Sequence, residues 1–270
     1  SSKEKILITG GGGFIGHHLV RELVNDFEIV VIDDFSRGSP TRLEPFENKI
    51  ELIKLDLRDY EGLRKKLINF NFEKIFHLAA INGTENFYKK PLDVMDVGII
   101  GCYNILRFAK ARNVKKLIIA SSAEVYQEAE KIPTPEEVKL IIPDGRNPRF
   151  SYGLSKIYTE FYSYHFGLIN EMNLSIFRPH NVYGPDMGLK HVIPQFVMQF
   201  LEKLSINDKK MVIEAKGSLS ADRAFCHVND IIEGIRLISE KNEDVNVYNI
   251  GSMEKTKISE LIKEISKFFG

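Results

Sequence analysis

The chain has 270 residues, enough for one large α/β unit with a smaller appended lobe. Lys and Arg number 37 and so do Asp and Glu, so the net charge leaves no footprint for nucleic acid or an anionic membrane surface. No apolar run approaches the ~20 residues of a bilayer span, and no signal peptide is expected before the first strand. Cys102 and Cys226 lack metal-ligand spacing and read as free thiols in a reducing cytoplasm, with no metal site expected.

Ile6, Leu7 and Ile8 follow the polar Lys5 and read as a short buried strand over residues 5–9. Phe14, Ile15, Leu19, Val20 and Leu23 then recur at helical spacing over residues 14–25. The run Thr9-Gly10-Gly11-Gly12-Gly13-Phe14-Ile15-Gly16 is therefore a strand-to-helix turn. Gly10 or Gly11 takes a backbone conformation closed to other residues, Gly13 lets the chain approach a pyrophosphate, and Gly16 permits close packing of helix on strand. The phosphates would lie against the amide-rich helix N-terminus. Residues 28–32 read as a second strand that ends at Asp33, 17 residues beyond Gly16. A carboxylate there binds a ribose 2′-hydroxyl and repels a 2′-phosphate, which favours NAD over NADP. Arg37 is the nearby cation that opposes this preference.

Further strands are expected over residues 50–54, 74–77, 116–120 and 174–177, and helices over residues 60–69, 91–112 and 151–169. This alternation predicts a parallel sheet flanked by helices. Residues 132–148 carry four prolines and form an ordered loop or a lid. In the third helix Tyr152 and Lys156 stand one turn apart on a common face. A phenolate that takes a proton at neutral pH needs its pKa lowered by roughly three units, about 4 kcal/mol, and an adjacent cation with hydrogen bonds is a source of that stabilisation. Alone, the spacing reads more readily as an amphipathic helix with a packed Tyr and a solvated Lys, and only its context favours the catalytic pair.

The chain resembles the extended short-chain dehydrogenase/reductase family, in its NAD-dependent sugar-nucleotide epimerase and dehydratase branch, from Lys5 nearly to the end. The family's T-G-x-x-G-x-x-G is carried by Thr9, Gly10, Gly13 and Gly16. Asp56-Leu57 matches the pair that contacts adenine, and His77-Leu78-Ala79-Ala80 matches the segment lining the cofactor pocket. Ser121-Ser122-Ala123-Glu124-Val125-Tyr126 is similar to S-[ST]-x-x-V-Y, in which Ser122 would hydrogen-bond the reacting sugar oxygen. Arg178-Pro179-His180-Asn181-Val182-Tyr183-Gly184-Pro185 resembles R-x-x-N-x-Y-G-P, and Arg223-Ala224-Phe225-Cys226-His227-Val228-Asn229-Asp230 resembles R-D-[FY]-[IV]-H-V-x-D.

The resemblance implies a Rossmann-type doubly wound sheet over residues 1–178 and a smaller substrate lobe over residues 179–270, interleaved with the core and open to continuation beyond Gly270. NAD would be held by Gly10, Gly13, Phe14, Ile15, Asp33, Arg37, Asp56, Leu57, Leu78, Ala79 and Ala80, with Tyr152, Lys156 and His180 near the nicotinamide. Ser122, Asn181, Val192 and Arg223 would hold a nucleoside-diphosphate sugar, Arg223 clamping the diphosphate. The helices over residues 91–112 and 151–169 would form an intersubunit four-helix bundle in a homodimer.

Tyr152 would act as the base at C4, with Lys156 as its electrostatic partner. Ala123 replaces the acid of dTDP-glucose dehydratases, which disfavours that reaction. Glu124 is either a base at a neighbouring carbon or a plain loop carboxylate. The expected activity is 4-epimerisation, followed in rank by net 4-dehydrogenation and then by decarboxylation or GDP-mannose-type dehydration. A non-catalytic NAD-binding regulator is the rival from another class, and it would not need Ser122, Tyr152 and Lys156 together. Departures from the family pattern are Gly98 for Asn, Cys102 for Thr, Gln127 for Gly, and the unusual segment from Asn82 to Asn86.

Overall fold

β-Branched residues and leucine fill the predicted strands almost without polar interruption, the pattern of strands covered on both faces. The computed structural model describes residues 3–206 and 212–269. In chain order it contains β1 (Lys5–Thr9), α1 (Phe14–Leu23), β2 (Glu28–Asp33), β3 (Ile50–Lys54), α2 (Tyr60–Lys66), β4 (Lys74–His77), α3 (Thr84–Lys89), α4 (Pro91–Ala111), β5 (Lys116–Ala120), α5 (Ser151–Ile169) and β6 (Asn173–Pro179). There follow β7 (Val182–Tyr183), α6 (Val192–Ser205), β8 (Asp222–Arg223), β9 (Cys226–His227), α7 (Val228–Glu240), β10 (Val245–Ile250), β11 (Thr256–Lys257) and α8 (Ile258–Phe269).

Seven parallel strands form one sheet in the order β10-β6-β5-β4-β1-β2-β3. The order reverses between β1 and β4, so the crevice for a ligand opens at their carboxyl ends. The turns that follow these two strands are the glycine run and Leu78-Ala79-Ala80. Ile6, Leu7 and Ile8 are fully buried. Leu7, Ile75, Leu117 and Ile176 share a core with Leu63, Ile105 and Phe108.

The chain divides into two compact units. The first holds residues up to Pro179 together with Ile232–Ile250, so that β10 completes the sheet; the second holds His180–Ile231 and the chain from Gly251 on. Within the second unit β7 pairs with β9 in parallel and β8 with β11 antiparallel. A helical pattern from Ile258 is legible in the sequence and matches α8, whereas α3, α6 and α7 were not foreseen. α3 has six residues, too few to display a period. α6 carries Pro194 in its first turn. α7 contains Gly234, where a Cβ would come within 2.8 Å of Ile250, so glycine is retained for close packing against β10 at some cost in helix propensity. The first two foreseen helices end earlier than expected, at Leu23 and Lys66.

Candidate active site

The glycine turn is shaped by close approach. Gly10 has a φ of 72°, and a Cβ there would meet the Ala79 backbone at 2.8 Å. At Gly16 a Cβ would lie 2.1 Å from the Gly10 carbonyl, so α1 can press against β1 only with glycine at this position. Gly13 caps α1 without a side-chain hydrogen bond, and the first turn contains no acidic residue. Its amides suit an anion. Asp33 is 8% exposed at the end of β2. It accepts from the Gly12 amide at 2.9 Å and the Phe35 amide at 2.8 Å, while burial pushes its carboxyl above the ordinary value.

Asp33, Arg37, Asp56, Leu57, Leu78, Ala79 and Ala80 line one pocket with Gly10 and Gly13. The Asp56 carboxylate is bound by the Arg58 guanidinium, which holds it below the usual carboxylate range. Open amides at a helix start, a carboxylate at the second strand and an apolar far wall fit a dinucleotide such as NAD.

At the carboxyl end of β4, the Thr9 hydroxyl accepts from the amides of Leu78 and Ala79 and lies 2.7 Å from His77 Nδ1. Its single proton is thus left for Nδ1, and His77 is a neutral imidazole. Burial, seconded by the charge of Lys156, lowers its pKa to about 3.

α5 brings Tyr152 and Lys156 together, 7% and 4% exposed. The Lys156 ammonium lies 5.5 Å from the Tyr152 ring centre and donates to the Ala120 carbonyl at 2.9 Å. Burial lowers the Lys156 pKa to about 8, against the influence of Cys102 and Glu160. The phenol departs from expectation. Burial first, and Glu124 second, push it well above its ordinary value, with only a hydrogen bond to Ser122 acting the other way. The lysine over the ring face does not by itself ionise Tyr152. Tyr152 also shares a small apolar cluster with Ile81 and Val97, which line the Asp33 pocket as well, so phenol and pocket are joined by common walls.

Ser122 caps the turn of Ala123–Val125, its Oγ accepting from the Glu124 amide at 3.1 Å. The Glu124 carboxylate is held by both arms of Arg149, at 3.2 and 3.3 Å. Phe87 of α3 stacks on Tyr152 with ring centres 5.2 Å apart. Neither Arg149 nor Phe87 was singled out from the sequence. Arg149 stood three residues before Tyr152 at the end of the proline-rich stretch, and Phe87 stood beside the segment already marked as unusual.

Beneath Ser122, Ser121 donates to Glu160, which takes two bonds from Arg178 at 2.7 and 2.6 Å. Arg178 also donates to the Tyr126 hydroxyl, which donates to Asn249, and Asn249 in turn bonds Thr134 and Glu136. The proline-rich loop is thereby tied to the core. Gly98, where the family pattern has Asn, admits the Ser155 side chain, since a Cβ there would lie 2.7 Å from it. Cys102 lies 3.4 Å from the Ser163 hydroxyl. Gln127 has a φ of 51°, the left-handed region that explains glycine as the usual residue at this position.

In the second unit, Asn181, Val192 and Arg223 line one cavity with Tyr183, Lys216 and Phe225. Asn181 has a φ of 40° and its carbonyl accepts from Cys226. Arg223 is exposed and donates to the Asp222 carbonyl at 3.0 Å. His180 packs against Gly251 within the same unit.

The UDP-N-acetyl-alpha-D-glucosaminuronate decarboxylase of Bacillus cytotoxicus is 30% identical over 267 residues, covering 97% of this chain and 79% of that protein. The UDP-N-acetylglucosamine 4-epimerase of Methanobrevibacter ruminantium M1, solved with UDP-N-acetylmuramic acid, matches with a TM-score of 0.87 at 27% identity, over 100% of this chain and 83% of that one. The UDP-glucose 4-epimerase of Thermotoga maritima, solved with UDP-glucose, gives 0.84 at 28% identity, over 97% and 82%. A family model matches residues 6–251, and the chain belongs to the NAD dependent epimerase/dehydratase family.

Proposed function

We propose that this enzyme oxidises C4 of a UDP-sugar and returns the hydride to the opposite face, as a 4-epimerase. The observation that carries the reading is the buried pair of Tyr152 and Lys156 with the half-buried Ser122 beside it, Tyr152 sharing walls with the dinucleotide pocket. NAD, when bound, supplies the hydride acceptor and donor. Ser122 holds the sugar oxygen and Tyr152 takes its proton. Because burial and Glu124 oppose the phenolate, Lys156 and the Ser122 hydroxyl must supply its stabilisation during the transfer. Asn181, Val192 and Arg223 hold the nucleotide, the Arg223 fork suiting a diphosphate.

A second reading is decarboxylation of a nucleotide uronic acid. The Glu124–Arg149 pair beside Ser122 and the decarboxylase from Bacillus cytotoxicus favour it. Homodimerisation through α4 and α5 is supported by their exposed apolar residues, among them Tyr103, Phe161 and Leu168. Among the described residues no helix is long and apolar enough to cross a membrane. The unpaired thiols of Cys102 and Cys226 support a cytoplasmic location.

The test is incubation of wild type and Tyr152→Phe with UDP-sugars, read by mass spectrometry and NMR. Epimerisation leaves the mass unchanged, net oxidation removes two hydrogens and decarboxylation removes carbon dioxide. Tyr152→Phe is expected to bind NAD and lose nearly all turnover. Wild-type turnover in that variant would remove the mechanism.

A further inference from the structure

The ion pair of Glu124 and Arg149 leaves each side chain about one third exposed, at 35% and 30%. A pair so accessible to solvent contributes little to stability. Its placement is more informative than its strength. Glu124 follows Ser122 by two residues, in the turn that Ser122 caps. Arg149 precedes Tyr152 by three, in the turn leading into α5. The Arg149 guanidinium lies 5.4 Å from the centre of the Phe87 ring, and that ring is nearly parallel to Tyr152, at 13°. A run of contacts thus leads from Ser122 through Glu124, Arg149 and Phe87 to Tyr152.

Two separate pieces of the chain meet in this run of contacts. The turn carrying Ser122 and the short helix carrying Phe87 come from different parts of the chain, and Arg149 touches both. A guanidinium suits this double task because its planar fork meets a carboxylate with two parallel bonds while its face rests on an aromatic ring. We infer that Arg149 is a positioning residue for the reaction, holding the serine-bearing turn and the phenol in one working arrangement through Glu124 and Phe87. The inference rests on the reading of Ser122 and Tyr152 as the reacting pair. α3 and α4 cover the ring with Phe87, Val94 and Val97, which are apolar. The charged groups set around it are Glu124 and Arg149 from the two turns and Lys156 from α5.

The experiment compares wild type, Arg149→Ala, Arg149→Lys and Tyr152→Phe as NAD-loaded protein. Turnover is measured with the UDP-sugar panel, and the Tyr152 ring resonances are followed by NMR on carbon-13 tyrosine, assigned through Tyr152→Phe. Arg149→Ala is expected to lower kcat by about tenfold to a hundredfold, the scale set by small displacements of reacting groups, with KM and Tm nearly unchanged. Guanidinium ion added to Arg149→Ala restores part of the rate. Arg149→Lys keeps the charge, loses the fork and stays impaired. The Tyr152 resonances shift in Arg149→Ala as Phe87 leaves its stacked position.

Wild-type kcat and unmoved Tyr152 resonances in Arg149→Ala would overturn the inference. Full turnover in Tyr152→Phe would instead remove the reaction on which it rests. If no UDP-sugar turns over, the resonance shift alone decides: its presence upholds the clamp and its absence ends it.

Discussion

Replacing Lys156 with Met is expected to stabilise the protein at pH 7 while removing its activity. The ammonium is 4% exposed, and burial lowers its pKa from 10.5 to about 8. At about 1.36 kcal/mol per pH unit, keeping it charged in the folded state costs about 3 kcal/mol. Methionine is close in length and carries no charge, so it escapes this cost. The loss on the other side is the hydrogen bond to the Ala120 carbonyl, which leaves that acceptor unsatisfied for about 1–2 kcal/mol. The balance is a gain of about 1–2 kcal/mol and a rise in Tm of about 2–8 °C.

The sign of the pH dependence follows from the direction of the shift. Below pH 8 Lys156 is protonated in both states and the cost is fully present. Between pH 8 and 10.5 the folded state has lost its proton while the unfolded chain keeps it, so wild-type stability rises through this window relative to the variant. The assay is thermal and urea unfolding of both proteins at pH 7 and pH 10. A variant less stable than wild type at pH 7, or an advantage equal at both pH values, would refute the reasoning.

Glu160→Gln leaves Arg178 charged and buried without its partner, and is expected to cost about 3–5 kcal/mol of stability in urea unfolding. A loss below about 1 kcal/mol would mean that the remaining bonds from Arg178 to the Tyr126 hydroxyl and the Glu136 carbonyl suffice. Arg223→Ala is expected to weaken UDP-sugar binding by about tenfold or more with NAD affinity unchanged. Calorimetry that finds equal sugar-nucleotide affinity would remove Arg223 from the site.

The sheet was legible because its strands are short apolar blocks with turn chemistry between them. Residues 5–9, 50–54, 74–77 and 116–120 were placed at their observed bounds, and β2 and β6 extend the expected strands by only a few residues. Gly10 and Gly16 were legible for a steric reason, since each occupies a spot where a side-chain carbon would collide with backbone. The Tyr152–Lys156 face followed from helical spacing alone. The electrostatics did not, because a one-dimensional pattern records which groups are neighbours and omits how much water they have lost. Tyr152 is therefore a weaker acid than its lysine neighbour suggested. Phe87 and Arg149 escaped notice because their partnership is made by stacking and a charge fork across separate turns, and neither contact imposes a sequence period.

Strand β10 joins the parallel sheet only after the polypeptide has left for the second unit and come back. During synthesis β6 must therefore wait, its open edge bare, for more than sixty further residues to emerge. Asn249, which secures the proline-rich loop, arrives with the same late strand. A ribosome-bound fragment ending before Val245 would thus have its glycine cradle and α5 helix but neither a finished sheet nor the Asn249 ties to the loop, and the birth of the working enzyme waits for that strand.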